Sequence, residues 1–170
     1  IWNFAGGPAA PAIELIWIFC QKMGVELDIN MEAVAKINKE LYAIRKELDA
    51  VDAVKVFPNP FNPLTDKLPE HIDKEFDRAV AAAKSGNEAE LIDACHAIEH
   101  YFNFPKPNEL VQKAEIPGGM YTNMVAQLKQ LKSESILESA MKLIPRVRLD
   151  AGLPPLVTPT SQIVGAQAVN

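Results

Sequence analysis

Proline placement constrains this 170-residue chain more than any other feature. A ring-locked φ and a missing N–H keep proline out of the interior of regular helices and sheets. Pro58, Pro60, Pro63 and Pro69 therefore make residues 56–69 a linker, and Pro105 and Pro107 close the segment that follows it. Pro154 and Pro155, after Gly152, end a further element. Between these breaks apolar residues recur every three or four positions, which is the period of helices. Met31, Val34, Ile37, Leu41, Ile44 and Leu48 are expected to form one buried stripe opposite a solvated face of Lys36, Lys39, Glu40, Arg45, Lys46 and Glu47.

The remaining elements follow from the same signals. A buried helix is expected over residues 11–23, ended by Gly24, and Asn30 caps the next one. Helices over 69–85 and 87–102 meet at Ser85-Gly86, and two more cover 118–132 and 134–150. Pro145 either kinks the last of these or opens a new helix as its first residue. Residues 1–11, IWNFAGGPAAP, read as a strand stub that turns at the glycines into the first helix. The chain is thus expected to be mainly α.

Several function classes are disfavoured by composition. The net charge of −5 and the scattered Lys and Arg residues do not suggest a nucleic-acid surface. The most apolar run, residues 9–20, contains Glu14 and is too short to span a bilayer. It also lacks the basic flank of a signal peptide. Cys20 and Cys95 form no paired motif, which points to a reducing, cytoplasmic compartment. The chain begins at Ile1 and stops at Asn170 within a helical pattern, so it is expected to be part of a longer polypeptide.

Residues 154–165, PPLVTPTSQIVG, carry the most chemistry. Thr158 precedes Pro159 and is held away from the helical region. Thr160 and Ser161 offer N-cap hydroxyls, and a short apolar helix follows to Val169. The expected result is a fixed hydroxyl at a helix N-terminus, where free N–H groups suit an anion or an enolate. The same pattern also serves as a plain helix entrance.

Two long motifs, IPGGMYTNMVAQL from Ile116 and IPRVRLDAGLPPLVTPTSQIVGAQAV from Ile144, occur in that order. With them the chain resembles the biotin-dependent carboxyltransferases. These comprise the pyruvate carboxylase carboxyltransferase domain, the oxaloacetate decarboxylase alpha subunit and the transcarboxylase 5S subunit. The resemblance implies the last strand stub and helix of a TIM-type (β/α)8 barrel followed by a helical funnel domain. It implies that residues 1–24 end the barrel and that 25–57 begin the funnel domain. Residues 58–107 are then an inserted helical hairpin, and 108–170 complete the funnel domain with the TPTSQ segment. Pro8-Ala9-Ala10 stand where the family commonly has Thr-Ser-Gln after the glycines.

The implied activity moves a carboxyl group between carboxybiotin and a 2-oxo acid, pyruvate or oxaloacetate. The implied catalytic residue is Thr158, which would relay a proton between the substrate methyl group and the biotin ureido nitrogen. Ser161 and Gln162 are the implied cofactor-binding residues, and the glutamine leans toward the decarboxylase and transcarboxylase members. Biotin would arrive on a separate carrier domain or subunit. The divalent metal of the family would be held by upstream barrel residues outside this chain, so no metal ligand is assigned here and the chain by itself is expected to be inactive. Homo-oligomerisation through the barrel is also implied. Two other readings stand beside this one. His96, Glu99 and His100 spell His-x-x-Glu-His, a zinc-peptidase pattern with two histidines on one helix face. A non-catalytic helical interaction domain is the other.

Overall fold

The computed structural model describes residues 1–7, 9–51 and 56–169. Among them it contains helices and turns and no strand, in two compact units. The first takes in residues 1–7 and 11–106, and the second centres on residues 107–169.

The first unit opens with a 3-10 turn at Trp2–Phe4, followed by α1 at Ile13–Met23 and α2 at Met31–Leu48. The expected strand stub is therefore a helical turn. Its backbone donors are used locally: Phe4 N–H bonds Ile1 O, Ala5 N–H bonds Trp2 O, and Trp2 N–H reaches the Glu14 carboxylate. Helix α1 stops where expected, with Gly24 at φ 72° and Val25 N–H returning to Cys20 O at 2.8 Å. Asn30 caps α2 by accepting Ala33 N–H at 2.9 Å.

Helices α3, Glu70–Ser85, and α4, Glu88–Tyr101, form the anticipated hairpin. Gly86 turns the chain at φ 70°, and the Asn87 side chain accepts Glu90 N–H to start α4. Arg78 clasps the pair by donating to Glu75 on α3 and to Glu90 and Asp93 on α4, at 2.8–2.9 Å. Burial pushes the Cys95 thiol up on α4, reinforced by the charge of Glu99.

Residues 58–107, expected as an inserted helical hairpin, contribute to the core of the first unit. Ile72, Phe76, Ile98, Phe102 and Phe104 share one buried cluster with Trp2, Leu15 and Ile18. Trp2 is fully buried, and its Nε1–H donates to Asn59 O at 2.8 Å. Lys22 adds ion pairs from α1 to Asp73 and Asp77 on α3. One expectation about packing is corrected, and it concerns α2. Of its six stripe residues only Met31 is buried, and Ile37 and Ile44 are 51% and 48% exposed. Period sets which side chains share a face; it does not supply the surface that covers them.

In the second unit, α5 at Glu109–Ala114 is capped by Asn108, which accepts the N–H groups of Leu110 and Val111. Helix α6 covers Gly118–Gln130, and a 3-10 turn at Glu134–Ile136 leads into α7, Leu137–Asp150. Pro145 lies inside α7 without ending it. Helix α8, Thr160–Val169, completes the unit. Its core consists of Ile116, Met120, Met124, Met141, Ile144, Leu156 and Val164 with alanine neighbours.

Candidate functional site

The chain leaves α7 through two left-handed residues, Gly152 at φ 84° and Leu153 at φ 57°. Leu153 N–H closes onto Arg148 O at 2.9 Å. Arg148 then reaches forward, its Nε–H donating to Pro154 O at 3.1 Å. This half-buried arginine of the IPRVR motif therefore holds the start of the PPLVTPTSQ segment in place. Sequence reasoning gives it no role, although its spacing just ahead of the prolines is visible.

Leu156 anchors the middle of the segment in the core at 8% exposure, while Thr158 is exposed in a turn whose Thr158–Pro159 peptide is cis. The expected hydroxyl cap of α8 is not what forms. Thr160 Oγ1 donates backward, to Val157 O at 2.8 Å and to Pro155 O. The first N–H groups of α8 bond carbonyls of the turn: Ser161 to Val157 O, and Gln162 and Ile163 to Pro159 O. The reason is local, because the turn delivers carbonyl acceptors to the helix entrance and leaves Thr160 better placed as a donor. The hydroxyls of Thr158 and Ser161 make no hydrogen bond among the described residues, so both can meet a ligand.

Both sequence motifs meet at one cavity of about 390 Å3. From α6 come Met120, Asn123, Met124 and Gln127, spaced as one helix face. From the other motif come Thr158, Ser161, Gln162 and Gly165 with the same spacing. Gly165 brings α8 against the methionines: a Cβ there would stand in ordinary contact, 3.4 Å from Met120 Cε and 3.6 Å from Met124 Sδ. Pro117 and Gly119 border the cavity, whereas Thr122 turns its hydroxyl back to Gly119 O at 3.1 Å. Gln127 is a site residue that the sequence reading misses; its position seven residues after Met120 is the available signal. The cavity wall thus combines polar amide and hydroxyl groups with two flexible thioethers.

The histidine pattern lies elsewhere, on α4 of the first unit. His96 and His100 are exposed, and Glu99 is half-buried with Oε2 lacking a partner among the described residues. Burial holds the Glu99 carboxyl above its ordinary range, and the charge of His96 opposes the shift. No group of three or more His, Cys, Asp and Glu residues among those described is arranged to hold a metal ion. The zinc-peptidase reading therefore finds no third ligand. No described helix is long and apolar enough to cross a membrane.

Comparison with known proteins picks out the cavity-bearing part of the chain. Residues 111–170 match a family model described as the conserved carboxylase domain. The chain is 60% identical over 55 residues to a pyruvate carboxylase subunit of Methanothermobacter thermautotrophicus, covering 32% of this chain and 10% of that protein. It is 42% identical over 88 residues to the methylmalonyl-CoA carboxyltransferase 5S subunit of Propionibacterium freudenreichii subsp. shermanii, covering 45% and 17%. A longer match, 33% over 146 residues, joins it to the 2-oxoglutarate carboxylase large subunit of Hydrogenobacter thermophilus, covering 82% and 22%. The chain thus spans less than a quarter of the length of each of these relatives. With both motifs facing one cavity, residues 111–170 match the conserved carboxylase domain, and the chain is similar to carboxylases and carboxyltransferases over 82% of its length in the longest of these matches.

Proposed function

We propose that this chain is the C-terminal part of an enzyme that moves a carboxyl group between biotin and a 2-oxo acid, with pyruvate and oxaloacetate as the reacting pair. The observation that carries the reading is the single cavity bordered by Thr158, Ser161 and Gln162 together with Pro117 and Gly119 at the start of α6. Its volume lies in the range of small-molecule sites, roughly 300–1,000 Å3. The names of two relatives, which refer to pyruvate and to 2-oxoglutarate, support a 2-oxo acid as substrate.

The lining suits the biotin headgroup. A ureido ring offers N–H donors and a carbonyl acceptor, and Ser161, Gln162 and Asn123 can both donate and accept. The missing side chain at Gly165 leaves the room that a ring needs. In this reading Ser161 and Gln162 hold the headgroup. Biotin, on a separate carrier domain or subunit, supplies the carboxyl group or receives it. Thr158 Oγ1 would take the proton that leaves the substrate methyl carbon, where the carboxyl group is added, while its own hydroxyl proton passes to the biotin ureido nitrogen that the carboxyl group leaves. A free threonine is a poor base, so this relay depends on both reactants being held against it. The described residues do not fit a metal site, and no step here runs through one.

In the full-length enzyme, Thr158→Ala should lower kcat with little change in KM, whereas Ser161→Ala should chiefly raise KM for biotin. Near-normal turnover in Thr158→Ala, measured as steady-state transfer between oxaloacetate and biotin, would sink the reading.

A further inference from the structure

The first unit holds a cavity of its own, about 340 Å3, bordered by the 3-10 turn, α1, α2 and the linker after residue 56. Met31, Val34, Tyr42 and Phe61 supply an apolar wall. Among them stands Glu14, the one acid in the most apolar run of the sequence, and it is only 2% exposed. Its Oε1 accepts Trp2 N–H at 3.2 Å, but Oε2 has no partner among the described residues.

Two polar neighbours of the cavity, Asn3 and Asp66, are engaged elsewhere. The Asn3 side-chain amide donates to Asn38 O at 2.8 Å and to Asn38 Oδ1 at 2.7 Å. Asp66 accepts Asn62 N–H at 2.8 Å and the Thr65 hydroxyl at 3.0 Å. A buried carboxylate oxygen without a donor is costly, and the cost is relieved only by a donor brought to it. The lining carries two acids, Glu14 and Asp66, against one base, Lys39, so a cation is favoured over an anion. A wholly apolar guest would leave Oε2 unmatched.

We propose that this cavity binds a small organic ammonium compound, with its charged head on Glu14 Oε2 and its apolar body against Met31, Val34, Tyr42 and Phe61. The site is independent of the carboxyl-transfer reading, because all of its residues lie outside the matched residues 111–170.

Three probes of similar shape test it on the 170-residue chain: 2-phenylethylammonium, neutral 2-phenylethanol and anionic 3-phenylpropanoate. Calorimetry gives affinities, and amide chemical shifts give the location. The ammonium should bind saturably, with shifts at Asn38, Tyr42 and Phe61, and at least about tenfold more tightly than the alcohol. Glu14→Gln keeps an acceptor for Trp2 N–H but removes the charge, so it should weaken ammonium binding at least about tenfold with an unchanged melt. Ala35→Phe fills the cavity from α2 without touching Glu14 and should abolish binding. Equal affinity for ammonium and alcohol, shifts confined to other residues, or full binding by Glu14→Gln would overturn the proposal. If Glu14→Gln lowers the melt, Ala35→Phe decides, and unchanged ammonium affinity in that variant overturns it.

Discussion

Around Trp2 the first unit gathers the rings of Phe61, Phe102 and Phe104, with centroids 5.3, 4.9 and 4.8 Å away. The second unit instead fills its centre with Met120, Met124, Met141, Ile144 and Val164. Rings have fixed shapes and particular pairing geometries, so an aromatic cluster holds distant segments in one arrangement. Thioether side chains are unbranched and adapt to whatever lies beside them. The flexible core is the one that borders the cavity with Thr158, and it is also the part that matches the conserved carboxylase domain. The contrast is between an aromatic core that fixes distant segments and a thioether core that can adapt beside the cavity bordered by Thr158.

The largest test of that contrast removes residues 58–107 and joins the ends with a short Gly/Ser link. The deletion takes away Phe61, Ile72, Phe76, Ile98, Phe102 and Phe104, and with them most of what covers Trp2. The first unit should lose cooperative thermal unfolding, while the amide spectrum of residues 108–169 persists. Collapse of both sets of signals would break the comparison.

Thr158→Ala should act in the opposite way, on rate and not on folding. The hydroxyl has no partner among the described residues, so the melt should not move. Turnover in the full-length enzyme should fall at least about 10²-fold, and Thr158→Ser should keep part of it. A shifted melt would mean that the segment is structural.

A smaller effect is expected from Gly165→Ala. The added methyl would meet the mobile ends of Met120 and Met124 at 3.4–3.6 Å, which is ordinary contact. Helix propensity should then raise stability by about 0.5–1 kcal/mol in denaturant titrations. Because the methyl enters the cavity, KM for biotin should rise in the same variant. Destabilisation would show that the methionine wall is more rigid than its chemistry implies.

Glu99→Gln should give the smallest change. Burial raises the folded-state pKa of Glu99 above its ordinary value of 4.5. The protonated form is therefore favoured by folding, and that stability is fully present below pH 4.5 and declines as pH rises through the folded-state value. The glutamine variant should melt slightly higher than the parent at neutral pH, with the difference vanishing below pH 4.5. A difference independent of pH would assign the effect to packing.

Much of the fold was legible because its signals are local. Asn30 and Asn87 cap, Gly24 and Gly86 stop, and each acts through bonds to residues within a few positions. The missed helix α5 carried the same kind of signal in Asn108. The cavity was half legible: the motifs named Thr158, Ser161 and Gln162, while Asn123 and Gln127 join them only through the packing of α6 beside α8. Arg148 was missed because a hydrogen bond to a carbonyl six residues on has no pattern to announce it.

By itself the sequence determined the helical period, the breaks, the Asn30 cap and the family resemblance, since each depends on neighbouring residues or on a contiguous motif. Tertiary structure alone decided that Trp2–Phe4 is a turn, that Ile37 and Ile44 on α2 are uncovered, and that residues 58–107 enclose Trp2. It also decided that Glu14 is buried with one oxygen unmatched. The physical reason is common to all four: burial and hydrogen-bond satisfaction depend on which distant segments arrive, and chain-local preferences carry no record of that.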